Sequence, residues 1–333
     1  MIRVNNIHLS LDYDDKSVRK AVAQQLRIEE KSIKSCKIFR RSVDARKKDN
    51  IYFLTTVDAE LNINEEKVCK KCGNAQIARK YEYNQMKFGN APSPVIVGAG
   101  PAGLFAALIL ARSGAKPILI ERGRDVDRRT ADVNRFWTSG QLDATSNVQF
   151  GEGGAGTFSD GKLNSGTKDI RQRKVLEEFV SHGAPDEILY NAKPHIGTDM
   201  LKGTIKNIRN EIIELGGMVM FETKLVSMAF SDNKLKAITV ETANGDEIIE
   251  TSNVILAIGH SARDTFEMLY DLKLPIEAKP FSVGARIEHL RQKVDKAQYG
   301  RFAGDKKLGS ANYKLSTHLD NGRGVYTLSL IHI

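Results

Sequence analysis

Cysteine is scarce: only Cys36, Cys69 and Cys72 occur in 333 residues, too few for a disulfide framework, and the cytoplasm is the expected compartment. No apolar run approaches the roughly 20 residues that a membrane helix needs. The opening stretch, residues 1–7, has no apolar core of the signal-peptide kind, and a membrane partner is not expected. Tryptophan occurs once, as Trp137, and a core position is expected for it. Missing too is any Ser-His-Asp or paired-carboxylate spacing that would support nucleophilic or acid–base catalysis. Cys69-Lys-Lys-Cys72 has no second ligand pair for zinc and no thioredoxin-like surroundings. No metal site is expected, and the two cysteines read as incidental residues of a helix.

What remains is ordinary in bulk and uneven in charge. A hydrophobic share of 41% and a charged share of 27% are those of a globular protein, and the length suits two or three domains. The net charge is +9, and residues 1–90 hold 19 Lys/Arg against 12 Asp/Glu, so +7 of it sits in the first quarter. The plainer reading of that asymmetry, a solvated basic surface, comes first, with an acidic partner such as nucleic acid as the alternative.

Residues 1–60 read as a β-α-β-β module, with strands near 2–11, 35–43 and 51–61 and a helix over 17–26 capped by Asp14 or Asp15. Residues 81–94 are a polar, Pro-containing linker, so the small N-terminal α+β domain spans 1–90.

Val95-Ile-Val97 is a short apolar run suited to a buried parallel strand, followed by G-x-G-x-x-G at Gly98, Gly100 and Gly103 and an apolar, helix-prone run to Leu110. Gly98 permits the tight turn, Gly100 the approach of a pyrophosphate, and Gly103 the packing of helix on strand. Ala99, Pro101 and Ala102 complete the turn, whose free amides and helix dipole favour negative charge. A second strand over 116–121 ends in Glu121, at about the ribose-binding spacing. Arg122 opens a cation-rich loop to Arg129 that suits a ribose, a phosphate or solvent equally.

Residues 149–163 hold five glycines and cannot be a stable helix or central strand. Such a loop lets backbone approach a ligand and offers N–H groups, here from Gly153, Gly154 and Gly156. Thr157, Ser159, Asp160 and Lys162 supply polar groups beside it. A helix over 198–215, a strand at 218–221, a meander over 223–251 and an apolar strand at 253–259 follow. Gly259 and His260 then lie at the carboxyl end of a parallel strand, beside the nucleotide crevice. Residues 281–288 alternate as a strand with Arg286 and Glu288 on one side, and with His289 and Arg291 they open a further, substrate-facing domain over 280–327.

With these motifs in hand, the chain resembles a bacterial family of FAD-dependent dehydrogenases, from Gly98-Ala-Gly-Pro-Ala-Gly103 and Glu121 through the 151–161 loop to Ala257-Ile-Gly-His260. The resemblance implies the glutathione-reductase-like flavoprotein fold: α/β, with a Rossmann-like FAD-binding domain over 91–279 built on a parallel sheet with an inserted β-meander. It carries the small α+β domain in front and the start of a second mixed α/β domain behind. It implies FAD on Gly98, Gly100, Gly103 and Glu121, the 151–161 loop near the flavin, and an oxidoreductase of undefined small-molecule substrate with NAD(P)H as an electron donor. Thr157, Ser159, Asp160, Lys162 and His260 are the candidates near the ring. A flavin- or nucleotide-binding RNA-associated protein and an NAD-binding protein without flavin are the competing expectations.

The end departs from the family, whose members usually continue after Gly-Val-Tyr with Cys-Met-Cys-Pro-Gly-Gly. Residues 328–333, Leu-Ser-Leu-Ile-His-Ile, match the translation of a transposon end used in sequencing libraries. The expectation is a non-native tail on a shortened chain that binds FAD weakly and lacks activity.

Overall fold

The computed structural model describes residues 1–79, 81–89, 92–158, 161–163, 169–285 and 287–327. They form two compact units: one gathers Met1–Tyr81, Leu189–Pro194 and the described residues from Phe281 on, the other Glu82–Ile188 and His195–Pro280. Two boundaries therefore differ from the sequence reading. The stretch after residue 81 goes with the nucleotide unit, where Phe88 N donates to Ser113 O at 2.7 Å and Gln85 Nε2 to Ile109 O at 3.0 Å. Residues after 281 join the N-terminal module through a small core of Ile51, Tyr299, Leu308 and Ala311.

In the first unit, β1 (Ile2–Leu9), α1 (Asp15–Leu26), β2 (Ile33–Asp44), β3 (Tyr52–Leu61), α2 (Glu65–Lys71) and β4 (Ala75–Ile77) follow in order. Asp14 and Ser17 close a capping box at α1, which buries Val18, Val22, Ala23 and Leu26. The antiparallel sheet runs β2-β3-β1-β4, a split β-α-β arrangement. Ile2, Val4, Ile7 and Leu9 of β1 all face the core because a bulge between Val4 and Ile7 restores the register, with Asn6 at φ 58°. The sequence reading ends the module at the third strand. It places Cys69 and Cys72 in a helix, and α2 carries Cys69 with Cys72 as its C-cap, but it gives that helix no bounds and misses β4, whose three residues are too few to show a period.

The second unit holds β5 (Val95–Val97), α3 (Pro101–Arg112), β6 (Ile118–Ile120), α4 (Val126–Ser139), α5 (Gln172–Ser181), α6 (Thr198–Glu214), β7 (Met218–Met220), β8 (Lys224–Ser231), β9 (Lys234–Thr242), β10 (Gly245–Glu250), β11 (Val254–Leu256) and α7 (Arg263–Asp271). A parallel sheet of order β11-β5-β6-β7 is sandwiched between two apolar layers. Ile96 and Leu119 pack with Leu104 and Leu108 of α3 and with Leu201, Ile205, Ile208 and Ile212 of α6. Val95, Val97 and Ile120 pack with Leu225, Met228, Ile238 and Val240 of the β8–β10 meander and Leu269 of α7. Each fully buried Leu, Ile or Val contributes about 1.5–3 kcal/mol. No helix among the described residues is long and apolar enough to cross a membrane.

Back in the first unit, α8 (Arg291–Tyr299) and the hairpin β12 (Ser316–His318) and β13 (Gly324–Tyr326) follow residue 281. The described residues of the expected strand over 281–288 are not in a strand. Phe281 and Val283 are each 85% exposed, and no ladder among the described residues satisfies that backbone. Arg286 lies outside the described residues, as do 328–333. Trp137 is also not core: it is 58% exposed, on the outer side of α4 with its ring edge-on to Phe158.

Candidate dinucleotide site

The turn after β5 is built as its glycines require. Gly98 stands at φ 104°, and a Cβ there would meet the Ala257 carbonyl oxygen at 2.5 Å. At Gly103 a Cβ would reach the Gly98 oxygen at 1.8 Å, so only glycine lets α3 sit this close to the strand. Gly100 is different. A Cβ there has one neighbour within 4 Å, the Cα of Gly154 at 3.9 Å, so the space in front of it is kept open. Pro101 takes N1 of α3, and Pro101 and Ala102 are exposed. The helix N-terminus thus faces an open cradle, and this geometry fits a diphosphate.

Glu121 follows β6 and is 6% exposed. Its Oε2 accepts from Ala99 N at 2.8 Å, and its Oε1 from Gly123 N at 2.9 Å and Gly151 N at 3.1 Å. A carboxylate has about four acceptor positions, so one is left for a sugar hydroxyl. The sequence reading gives Glu121 the sugar alone; the structure adds the fastening of three separate backbone stretches.

The glycine-rich loop lies directly on this turn. Gly153 N donates to Ala99 O at 2.8 Å, and a Cβ on Gly154 would stand 3.1–3.2 Å from Pro101 and Gly100. The segment that contains Ala257 pairs with the turn through Ala257 N to Val97 O at 2.8 Å. Gly259 follows at φ 70°, with His260 exposed. Gly98, Ala99, Gly100, Pro101, Ala102, Gly103, Glu121, Gly153, Gly154 and Gly259 are therefore gathered at the carboxyl ends of β5, β6 and β11, where ligands of open parallel sheets bind.

Arg122 and Thr157 are engaged within the protein instead. Arg122 turns to α7, donating to Asp264 at 3.0 and 3.2 Å and to Thr265 Oγ1 at 2.9 Å. Burial alone would raise the Asp264 carboxyl, but Arg122 and Lys224 outweigh it and hold it well below the usual range. Thr157 is fully buried and bonds inward to Glu152 O at 3.4 Å. Lys162 forms an isolated antiparallel bridge with His195. Gly156 is exposed, and Ser159 and Asp160 lie outside the described residues. Cys69 ends up in α2 with its thiol pushed up by burial, the opposite of a reactive thiolate.

Sequence reasoning misses what holds the loop. Arg129, fully buried in α4, donates from Nε to Asn147 O at 2.9 Å, from Nη2 to Val148 O at 3.0 Å, and from Nη1 to Glu152 O at 2.6 Å and Gly151 O at 3.2 Å. Burial pulls its guanidinium down to about 10, still charged at neutral pH. Glu152, also fully buried, accepts on Oε2 from Val126 N at 2.7 Å and Arg209 Nη1 at 2.9 Å, while Oε1 has no partner. The legible signal was Asp125, which caps α4 by accepting from Asp127 N and Arg128 N.

Fold and site together define a dinucleotide-binding α/β unit of the Rossmann type. A model of an FAD binding domain matches residues 93–132, a model described as FAD-dependent protein, C-terminal domain-like, matches 280–330, and a domain of unknown function matches 1–60. Two separate stretches of the chain, 93–132 and 280–330, are thus similar to FAD-dependent proteins. An uncharacterized protein of Clostridium beijerinckii is 45% identical over 335 residues, 99% of this chain and 62% of that protein, so the chain spans less than two thirds of this relative. Among solved structures, THI4 of Thermovibrio ammonificans has a TM-score of 0.37 at 16% identity, over 55% of this chain and 64% of that one. The anhydrotetracycline hydroxylase OxyS of Streptomyces rimosus has a TM-score of 0.31 at 19% identity, over 54% and 33%.

Proposed function

We propose that the protein is an FAD-dependent oxidoreductase that passes a hydride or electrons between a small-molecule substrate and bound flavin, with NAD(P)H as electron donor. One observation carries this reading: the open cradle at Gly100 is closed in by the glycine-rich loop and backed by an acid with one acceptor position left. The amides at the start of α3 would hold the diphosphate, and Glu121 one ribose hydroxyl. FAD, when bound, supplies the redox chemistry, and these residues supply position and field. Gly259 and His260, at the end of β11, border the same crevice.

The test separates ligand space from folding space. Gly100→Ala puts a Cβ into the cradle with one protein neighbour within 4 Å, the Gly154 Cα at 3.9 Å, so FAD affinity measured by fluorescence quenching is expected to fall at least about tenfold. Gly100 is also the N-cap of α3, where an aliphatic residue is poorer than glycine, so a stability loss of about 1 kcal/mol is expected, too small to unfold the unit. A parent chain that takes up no flavin from excess FAD, and shows no visible flavin band, would overturn the assignment. The same spectrum distinguishes it from an NAD-binding protein without flavin.

A further inference from the structure

The split β-α-β sheet of the first unit has one face packed by α1 and α2; the other carries half-buried Tyr52, Leu54, Thr56 and Asp58 of β3 beside exposed Asn6 and His8 of β1, with Phe302 and Asp305 near the His8–Tyr52 end, and its composition is not one the core explains. The register puts His8 of β1 opposite Leu54 of β3, diagonal to Tyr52, and the two rings stack with centroids 4.4 Å apart at 23°. His8 is exposed, so one side of this stack is available. Along the same face, Asn6 is exposed at the bulge of β1, and Thr56 bonds to Asn5 Oδ1 at 3.2 Å. The edge strand β2 adds the exposed cations Lys37 and Arg40, opposite Asp58 and Thr56, and the turn that follows adds exposed Arg46, Lys47 and Lys48.

We propose that this face binds single-stranded nucleic acid. Cations alone would suit an acidic peptide as well. An accessible ring stack beside amide and hydroxyl side chains, with cations along one border, suits unpaired bases joined by phosphates, which stack on rings and expose polar edges. The bulge at the left-handed Asn6 is a strained, re-aimed position in the middle of the face, of the kind found beside binding sites. The basic excess of residues 1–90 then has a place, and the proposal does not depend on the flavin.

The test uses the whole chain and fluorescence polarisation of labelled twelve-nucleotide oligouridine and oligothymidine at two salt concentrations. Binding is expected to weaken with salt, with a slope of about −0.7 per phosphate contacted. His8→Ala is expected to lower affinity by about tenfold and leave that slope unchanged, since it removes stacking only. Lys37→Glu with Arg40→Glu is expected to lower affinity and flatten the slope. Both variants replace exposed side chains, and unchanged melting curves and FAD uptake check that they fold. Absence of binding at low salt overturns the proposal. So does an affinity that charge reversal abolishes but His8→Ala leaves intact with heparin competing equally well, which would mark a surface for polyanions or acidic proteins.

Discussion

Arg129 shows how a charged side chain can be core. Its donors take four backbone carbonyls from the 147–152 segment; those of Gly151 and Glu152 also accept from Gly154 N at 3.0 Å and Thr157 Oγ1 at 3.4 Å, whereas those of Asn147 and Val148 depend on Arg129. Arg129→Met keeps the volume and removes every donor, and each orphaned acceptor costs about 1–3 kcal/mol. A large drop in melting temperature is expected by calorimetry, with FAD affinity falling in parallel. Arg129→Lys is expected to rescue little, because an ammonium cannot reach the planar array that a guanidinium serves. The residue also explains why α4 was hard to read. Its buried positions are Val126, Arg129, Asp132 and Val133, so a search for apolar spacing sees half the stripe and leaves a charged loop.

Among elements, the far end of α3 is tied to α5 and α6 by charge. Arg112 bonds to Glu178 at 2.6 Å and to Glu211, Lys174 pairs with Glu178, and His182 Nε2 lies 2.8 Å from Glu211. Burial alone would push the Glu178 carboxyl up, but Lys174 and Arg112 outweigh it, and Arg112 holds Glu211 low as well. Both carboxyls therefore titrate below their unfolded values of about 4.3. Stability from them is present above that pH and is lost as pH falls through the lowered values. Arg112→Met is expected to cost about 2 kcal/mol at neutral pH. The difference from the parent should shrink as denaturant midpoints are followed from pH 6 toward acid. The elements legible in the sequence, such as β1, α1, α6 and the β8–β9 part of the meander, owe it to a buried apolar stripe, as with Leu201, Ile205, Ile208 and Ile212 of α6. Residues 281–288 mislead for the converse reason: alternation without a ladder partner is no strand.

For the whole molecule, the two units each own a core. That of the first lies almost entirely within residues 2–68, whereas after residue 281 only Asp295, Tyr299, Leu308 and Ala311 are buried among the described residues. A fragment of residues 1–81 is expected to keep its circular-dichroism spectrum and a cooperative melt. Residues 281–327 alone are expected to give neither. The turn after β5 with Glu121 is the most legible part of the chain because backbone geometry dictates it: a positive φ, a close approach and an acid at fixed spacing need particular residues. Side chains that support it from a distance, such as Glu152 and Arg209, obey no such spacing and emerge only in three dimensions.

Glu121 fastens the phosphate turn at Ala99, its own following residue pair and the head of the glycine loop at Gly151. A sugar hydroxyl on the remaining lone pair would join a latch already shared by three strands of backbone. Occupancy and loop order must then reinforce each other by equal amounts in both directions. FAD should slow protease cleavage between 147 and 158, and Glu121→Gln should weaken that protection together with affinity.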